Sequence, residues 1–282
     1  MAENLKALVV SQDNRIPQTL RADKQSLMLS VYQKKLLLLL ISRINKDTQS
    51  FATEEISFSD YCNILNVPVG GKTNKIIKDS IIDLCNKNFI FDTAPGLSQV
   101  FCWIEPSDTE IDWNKKVIRT KLGRKLQPYY LGLSELFTSF QLGFAINFKS
   151  KYSYRVYEYL RSYANQGIIT IKVENAYEIL ADNKYTVFAD FERKVVKKAI
   201  GEINEFSDIN VKYSLIKNKN KTTHITFVIH MRPESELEAI RATWQSDDTA
   251  EIQKPKEIGK MIENDVYIEK EQPVGREVLF SD

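Results

Sequence analysis

Apolar positions recur every three to four residues in the first part of the chain, which is the spacing of helices that bury one face. The leucine-rich stretch SLMLSVYQKKLLLLLISRINK predicts a helix over residues 26–46, with Ser26 as a possible N-terminal cap. The stretch FATEEISFSDYCNILNV predicts a second, shorter helix within residues 51–67. Both helices are predicted to bury their apolar residues against a common core.

A third helix follows a break at VPVGG. The stretch TNKIIKDSIIDLCNKN (73–88) places Ile77, Ile81 and Leu84 on one helical stripe. Two aromatic runs, FIFDT and QVFCWIE, then flank APGLS and predict a β-hairpin. Helix, helix, turn, helix and hairpin is the order of a winged helix-turn-helix domain.

The same order returns in the second half of the chain. SKYSYRVYEYLRSYANQG (150–167) predicts a helix that ends at a glycine, ITIKV a strand, and NAYEILADN (175–183) a short helix. DFERKVVKKAIGEINEF (190–206) predicts a helix, and INVKYSLIKNKNKTTHITFVIHM (209–231) predicts two strands around a basic turn. A second winged helix-turn-helix domain is therefore predicted.

Similar offsets separate the corresponding segments. Lys75–Lys78 precedes Lys194–Lys197 by 119 residues, and Tyr32 with Leu40 precedes Tyr152 with Leu160 by 120. A period this long indicates a duplicated domain and not a solenoid repeat. The predicted fold class is α+β, with two tandem winged-helix domains related by duplication. The predicted ranges are an N-terminal arm (1–25), the first domain (26–134), the second domain (135–232) and an acidic, mobile C-terminal tail (233–282).

The formal net charge of +2 hides an asymmetry. The stretch from Trp244 to Asp282 holds ten acidic and five basic residues, so it carries −5 and leaves +7 on the rest of the chain. A basic body favours a polyanionic partner.

The three cysteines are widely spaced, and no apolar run approaches the ~20 residues of a membrane helix, so a reduced, cytoplasmic protein without membrane contact is expected.

The stretch VPVGGKTNK contains a glycine pair, a lysine and a threonine, which raises the question of a nucleotide site. A phosphate-binding loop of the ATPase type has the pattern G-x-x-x-x-G-K-[ST] after a buried strand, but the first glycine is replaced here by Asn66. The preceding residues have a helical pattern. The alternative is a helix N-terminus that meets DNA phosphates, because free backbone N–H groups and the helix dipole favour an anion there.

Basic residues at helical spacing and in one hairpin predict a DNA-binding surface. In the second domain, Lys194, Lys197 and Lys198 fall on one helix face beside Arg193, where they would repel one another without a polyanion. The alternative is a solvated helix face. The candidate DNA-binding residues are Lys72, Thr73, Asn74, Lys75, Lys78, Lys151, Arg155, Arg193, Lys194, Lys197, Lys198, Lys217, Lys219 and Lys221. A further basic stretch, residues 115–125, either follows phosphates or keeps a sheet edge soluble.

Enzyme chemistry finds little support in the sequence. The two histidines, His224 and His230, are six residues apart on one predicted strand, which is roughly 20 Å and too far to share a metal. No serine lies in a nucleophile elbow. No cofactor, metal site or catalytic residue is predicted. Five tyrosines within residues 152–163 have the spacing of a helix, which favours core packing over base stacking.

Three segments resemble a known family: LSVYQKKLLLLLISRIN, SKYSYRVYEYLRSYANQG and FADFERKVVKKAIGEINEFSDINVKY. They are similar, in this order over roughly residues 26–231, to the iteron-binding plasmid replication initiators of the RepB/RepE-like Rep_3 family. The resemblance implies a bacterial protein without catalytic activity that binds direct repeats (iterons) at a plasmid origin as a monomer. It also implies a dimer that represses transcription at an operator inverted repeat.

By the same resemblance, the protein helps to open the origin and recruits host replication proteins such as helicase and initiator, with chaperones as further partners. The recognition helices are implied at 73–86 and 190–206, and Lys151 and Arg155 where a helix approaches the DNA backbone. Two alternatives stay open on the residues alone: a transcriptional repressor without a replication role, and a P-loop ATPase.

Overall fold

The computed structural model describes residues 4–19, 29–45, 48–94, 96–133 and 136–246. The N-terminal part contains a 3-10 turn (Leu5–Ala7), strand β1 (Val9–Asp13) and helix α1 (Arg15–Thr19). Leu5, Val10 and Ile16 are at most 6% exposed. The described part of the predicted N-terminal arm is therefore packed against the rest of the chain through these three residues, whereas Val9 is 42% exposed.

Helix α2 (Val31–Ser42) forms the centre of the first domain. It begins later than predicted: the Ser30 hydroxyl accepts a hydrogen bond from the backbone N–H of Gln33, while the Gln33 side chain accepts one from the N–H of Ser30. This reciprocal capping satisfies two N–H groups at the start of the helix. The predicted cap, Ser26, lies outside the described residues. Leu36 through Leu40 are all at most 1% exposed, so this helix is buried on every side.

The first helix-turn-helix follows a short strand. The elements in order are β2 (Glu54–Ser57), α3 (Phe58–Leu65), α4 (Gly71–Asn86), β3 (Asn88–Ala94), β4 (Leu97–Cys102), β5 (Glu110–Asp112), β6 (Val117–Thr120) and α5 (Gln127–Tyr130). Asn66 ends α3 in a left-handed conformation (φ 56°), which turns the chain toward α4. The predicted second and third helices are confirmed, with the buried stripe of Ile77, Ile81 and Leu84 at most 3% exposed.

The first domain contains two separate sheets. β3 and β4 form an antiparallel hairpin, as predicted, and within the described part of the chain no other strand pairs with them. The second sheet has the order β2-β6-β5 and was not recognised in the sequence. Its strands are only three or four residues long, too short to show an alternating pattern.

The second domain repeats this arrangement. Its elements are β7 (Phe137–Gln141), α6 (Gly143–Ile146), α7 (Lys151–Arg161), β8 (Ile168–Lys172), α8 (Val173–Ala181), α9 (Phe188–Phe191), a π-helical segment (Glu192–Lys197), α10 (Lys198–Phe206), β9 (Ile209–Asn218), β10 (Lys221–Met231) and α11 (Glu234–Ser246). The sheet order is β8-β10-β9. α9, the π-helical segment and α10 follow one another without a break and together form the predicted helix.

The duplication is confirmed by the bounds of the helices. α2 begins at Val31 and α7 at Lys151, an offset of 120 residues, and α3 and α8 both start directly after a strand. The two helix-turn-helix units thus occupy equivalent places in their domains.

The two ends of the described chain meet around β7. β1 pairs antiparallel with β7, from Val9 opposite Gln141 to Asp13 opposite Phe137. α11 packs its Trp244, 4% exposed, edge-on against Phe144 with 5.1 Å between ring centroids. The helix α11 covers residues 234–246 at the start of the predicted tail, and residues 247–282 lie outside the described residues, so the mobile tail stays a prediction. The predicted boundary near residue 134 stays a prediction.

A buried ion pair joins the domains through their central helices. Lys34 Nζ on α2 lies 2.7 Å from Glu158 Oε1 on α7, with side chains 12% and 5% exposed. Few charged groups are this well shielded from water unless they are paired. Within the described ranges, no helix is both long and apolar enough to cross a bilayer.

Candidate nucleic-acid interface

Helix α4 of the first domain buries one face and presents lysines on the other. Ile76, Ile77, Ser80, Ile81 and Leu84 are buried, whereas Lys72, Lys75 and Lys78 are exposed. Among the described residues, none of these three lysines forms an ion pair with a carboxylate. The three ammonium groups therefore remain available to an anionic ligand.

The start of α4 shows what the glycine-lysine-threonine stretch does. Gly70 is extended (φ −177°) and precedes the helix, and its carbonyl accepts a hydrogen bond from Asn74 N–H at 2.9 Å. Thr73 is 4% exposed, and its hydroxyl donates to the Pro68 carbonyl at 2.6 Å. The Thr73 side chain therefore fixes the turn, and its contact with DNA stays a prediction. Asn74 is half-buried.

The same segment lacks the geometry of an ATPase phosphate loop. Helix α3 precedes it, where that loop requires a buried strand. Gly71 already belongs to helix α4, so the glycines do not form a wrapped loop of free amides. The stretch is the turn between the two helices of a helix-turn-helix unit.

The equivalent helix of the second domain carries the other basic cluster. Phe191, Val195, Val196, Ala199 and Ile203 are fully buried, and the exposed side holds Arg193, Lys194, Lys197 and Lys198. The predicted helix and its predicted basic face are both present. A π-helical segment, Glu192–Lys197, widens the helix at the first three of these cations. Such widened turns are frequent at functional sites.

Two carboxylates partly neutralise this cluster. Asp190 Oδ1 lies 2.7 Å from Arg193 Nη2 and 3.8 Å from Lys194 Nζ, and Glu192 Oε1 lies 3.3 Å from Lys197 Nζ. The hydrogen bond from Arg193, helped by the charge of Lys194, lowers the pKa of Asp190. The expectation that these cations need an external polyanion is corrected by these pairs. Because the pairs are exposed, each contributes little to stability and can be exchanged for other contacts.

The remaining candidates differ in exposure. Lys151 is half-buried at the start of α7, with its Nζ 5.8 Å from the Tyr152 ring. Arg155 is half-buried, and its Nε donates a hydrogen bond to the Ile179 carbonyl at 2.7 Å. Burial lowers the pKa of Arg155. Arg155 thus ties α7 to the end of α8, a structural contact that sequence reasoning interpreted as a DNA contact.

The hairpin β9–β10 carries the predicted basic tip. Lys217, Lys219 and Lys221 are all exposed, and Lys219 adopts a left-handed conformation (φ 53°) in the two-residue turn. Lys221 Nζ lies 3.9 Å from Glu174 in the first turn of α8. The tip of the wing is therefore beside the first helix of the helix-turn-helix unit.

The remaining residues considered in the sequence were the tyrosines of residues 152–163, as stacking candidates, and the two histidines, as metal ligands. Tyr152, Tyr154, Tyr157 and Tyr159 are at most 7% exposed, so they pack inside the second domain. His224 and His230 both lie on β10. Within the described residues, no group of three or more histidine, cysteine, aspartate or glutamate side chains has the geometry to hold a metal ion.

Comparison with known proteins identifies the two domains. Residues 15–161 match the family described as Initiator Replication protein, WH1, and residues 177–229 match Initiator Rep protein, WH2. The chain belongs to the initiator replication protein family. Membership fits the two winged-helix units and their helices α4 and α9–α10.

A solved structure of an initiator protein shows the same fold. The crystal structure of Pi initiator protein in complex with iteron DNA matches with a TM-score of 0.65 and 18% identity, covering 80% of this chain and 98% of that one. Domains 2 and 3 of RctB match with a TM-score of 0.42 and 12% identity, covering 71% and 80%. The first of these likenesses extends through both domains of the initiator.

Proposed function

We propose that this initiator binds double-stranded DNA sequence-specifically at the direct repeats (iterons) of a plasmid origin in the bacterial cytoplasm. It then helps to open the origin and recruits host replication proteins such as helicase and initiator, without catalytic activity of its own. The observation that supports this proposal most is that both domains contain the same kind of helix. Each domain holds a helix with a buried apolar stripe and an exposed basic face.

Two such helices fit two successive major grooves on one face of a duplex. Lysines bind phosphates as point charges, and arginine and asparagine can read guanine and adenine edges. Arg193 and Asn74 are therefore assigned to base readout, and Lys75, Lys78, Lys197 and Lys198 to phosphate contacts. A domain pair that contacts DNA about one helical turn apart explains why the chain contains two copies of the unit.

Self-association is proposed through the first domain. Ile90 and Val100 face each other across β3 and β4 and are 39% and 56% exposed, and Leu97 is 53% exposed. An exposed apolar hairpin suits a second copy of the chain. As a dimer, the protein would repress its own gene at an operator inverted repeat. Replacing Ile90 and Val100 by serine should shift the oligomer toward monomer in sedimentation; an unchanged distribution would exclude this surface.

The DNA-binding proposal is tested by footprinting on the DNA that flanks the gene, with binding titrations at several salt concentrations. The variant Lys197→Ala/Lys198→Ala should lower affinity and reduce the salt slope by roughly 1.8, since each phosphate contact contributes about 0.9. Lys212→Ala is the control, because Lys212 is exposed on the outer face of the sheet of the second domain. An unchanged affinity of the double variant would remove α10 from the interface.

A repressor without a replication role is the second candidate, since the same DNA-binding surface would serve it. Inactivation of the gene separates the two: loss of plasmid maintenance supports the initiator, and derepression with normal maintenance supports the repressor. Nucleotide hydrolysis by purified protein that is lost in Lys72→Ala would favour an ATPase instead.

A further inference from the structure

The wing of the first domain is located by comparing the two three-stranded sheets. Their orders are β2-β6-β5 and β8-β10-β9. In each sheet, the outer strand that enters the helix-turn-helix pairs with the central strand at the same place: Ser57 opposite Val117, and Lys172 opposite His224. The hairpin β5–β6 therefore corresponds to the wing β9–β10. The predicted wing, β3–β4, is an addition that has no counterpart among the described residues of the second domain.

Backbone contacts fix the tip of β5–β6. Asp112 Oδ1 accepts hydrogen bonds from the N–H groups of Asn114 and Lys115 at 3.0 and 2.9 Å. Lys116 takes a left-handed conformation (φ 57°), and its carbonyl accepts from Phe58 N–H at 2.8 Å. Phe58 is the first residue of α3. The tip thus lies beside the first helix of its helix-turn-helix unit, as the tip of β9–β10 lies beside α8.

The side chains at this tip are exposed. Trp113 is 37% exposed and contacts the Phe58 ring edge-on, with 5.5 Å between centroids. The other two tryptophans, Trp103 and Trp244, are each 4% exposed. Lys115 and Lys116 are also exposed. The tip therefore presents an exposed indole ring, and the neighbouring exposed side chains are cationic.

The lysines of the tip differ from Arg119 and Lys121, the next two cations of residues 115–125. Arg119 pairs with Glu55 at 2.8 Å and also with Glu110, and Lys121 pairs with Asp108 at 3.0 Å. Within the described residues, neither Lys115 nor Lys116 forms an ion pair with a carboxylate. Arg119 and Lys121 are therefore neutralised by carboxylates, whereas the two lysines of the tip are not.

We propose that Trp113, Lys115 and Lys116 contact duplex DNA as the wing of the first domain. The two ammonium groups bind phosphates that flank the groove entered by α4, and the indole packs on the adjacent sugar. This inference rests on the proposed function, because it places a second contact on the same duplex. Phosphate contacts of this kind position a protein without reading sequence.

Two measurements on the full chain test the proposal, with origin DNA and an unrelated duplex of equal length as probes. For Lys115→Ala/Lys116→Ala, the salt slope should fall by roughly 1.8, which at 0.1 M salt is a loss of affinity of up to about 60-fold. The loss should be equal on both probes. Lys212→Ala should leave the slope unchanged.

Fluorescence quenching by acrylamide supplies a second, independent readout. Because Trp113 is the exposed tryptophan, DNA should protect the exposed emission, and Trp113→Phe should abolish the DNA-dependent change while it keeps the aromatic contact with Phe58. An unchanged salt slope together with an unprotected Trp113 in a wild-type complex would overturn the proposal. Equal wild-type affinity for both probes would overturn sequence-specific binding instead, while a reduced slope in the lysine variant would still support the wing.

Discussion

Lys35 is a buried lysine whose titration should be visible in the stability of the protein. It lies on α2 with 8% exposure, and its Nζ donates a hydrogen bond to the Ile64 carbonyl at the end of α3 at 3.2 Å. Burial, with a smaller contribution from the charge of Lys149, lowers the pKa of Lys35 from 10.5 to about 8. Near neutral pH the protonated Lys35 side chain therefore lowers the free energy of unfolding, because its charge is buried.

The direction of the pH effect follows from the number of bound protons. Between pH 8 and pH 10.5 the unfolded chain keeps this proton and the folded chain has released it, so the free energy of unfolding rises with pH. The full difference is about 3.4 kcal/mol, of which about 2.5 kcal/mol develops between pH 7 and pH 10. Lys35→Met removes the titrating group and hence this gain.

The assay is urea unfolding of the wild type and of Lys35→Met at pH 7, 8, 9 and 10. The difference between their free energies of unfolding should shift in favour of the wild type by about 2.5 kcal/mol over this range, whereas tyrosines and cysteines titrate equally in both proteins. Lys212→Met, which removes an exposed lysine, should show a flat difference. A flat difference for Lys35→Met would refute the reasoning, since it would mean that Lys35 has an ordinary pKa in the folded protein.

Two further predictions concern packing between elements. Lys34→Met or Glu158→Met should each destabilise the protein by roughly 3 kcal/mol by leaving a buried charge unpaired, and the double variant Lys34→Met/Glu158→Met should recover most of the loss in urea unfolding. Additive losses would contradict a coupled pair. Gly143→Ala should cost about 1–3 kcal/mol in thermal unfolding, because its Cβ would lie 2.5 Å from the Trp244 ring. The matched control Gly201→Ala has nothing within 4 Å and should stabilise by about 0.5–1 kcal/mol; equal effects of the two would exclude the clash.

The helices of both domains could be predicted because their information is local. The stripes that contain Ile77 and Val196 recur at helical spacing, and both residues are fully buried. The duplication could be predicted for the same reason, since equal offsets preserve the order of the elements. Family resemblance then supplied the two-domain initiator fold.

The features that the sequence did not reveal have a different origin, because they depend on which internal partners the fold brings within reach. Arg155 bonds to a carbonyl 24 residues away, and β1 finds its partner strand 128 residues later. The Thr73 hydroxyl donates a hydrogen bond to the Pro68 carbonyl, because the turn brings the two groups together. A basic or polar side chain in the sequence does not reveal whether such an internal acceptor exists.

The pairing of β1 with β7 has a consequence for synthesis of the protein. Val9 leaves the ribosome well before its partner Gln141, which emerges more than a hundred residues later. Until then the apolar side of this segment has nothing to cover it and is open to chaperones and to other nascent chains. At translation rates of about 5–20 residues per second, this delay lasts roughly 7–26 s. Slower elongation would therefore lengthen the time during which the unpaired segment is exposed.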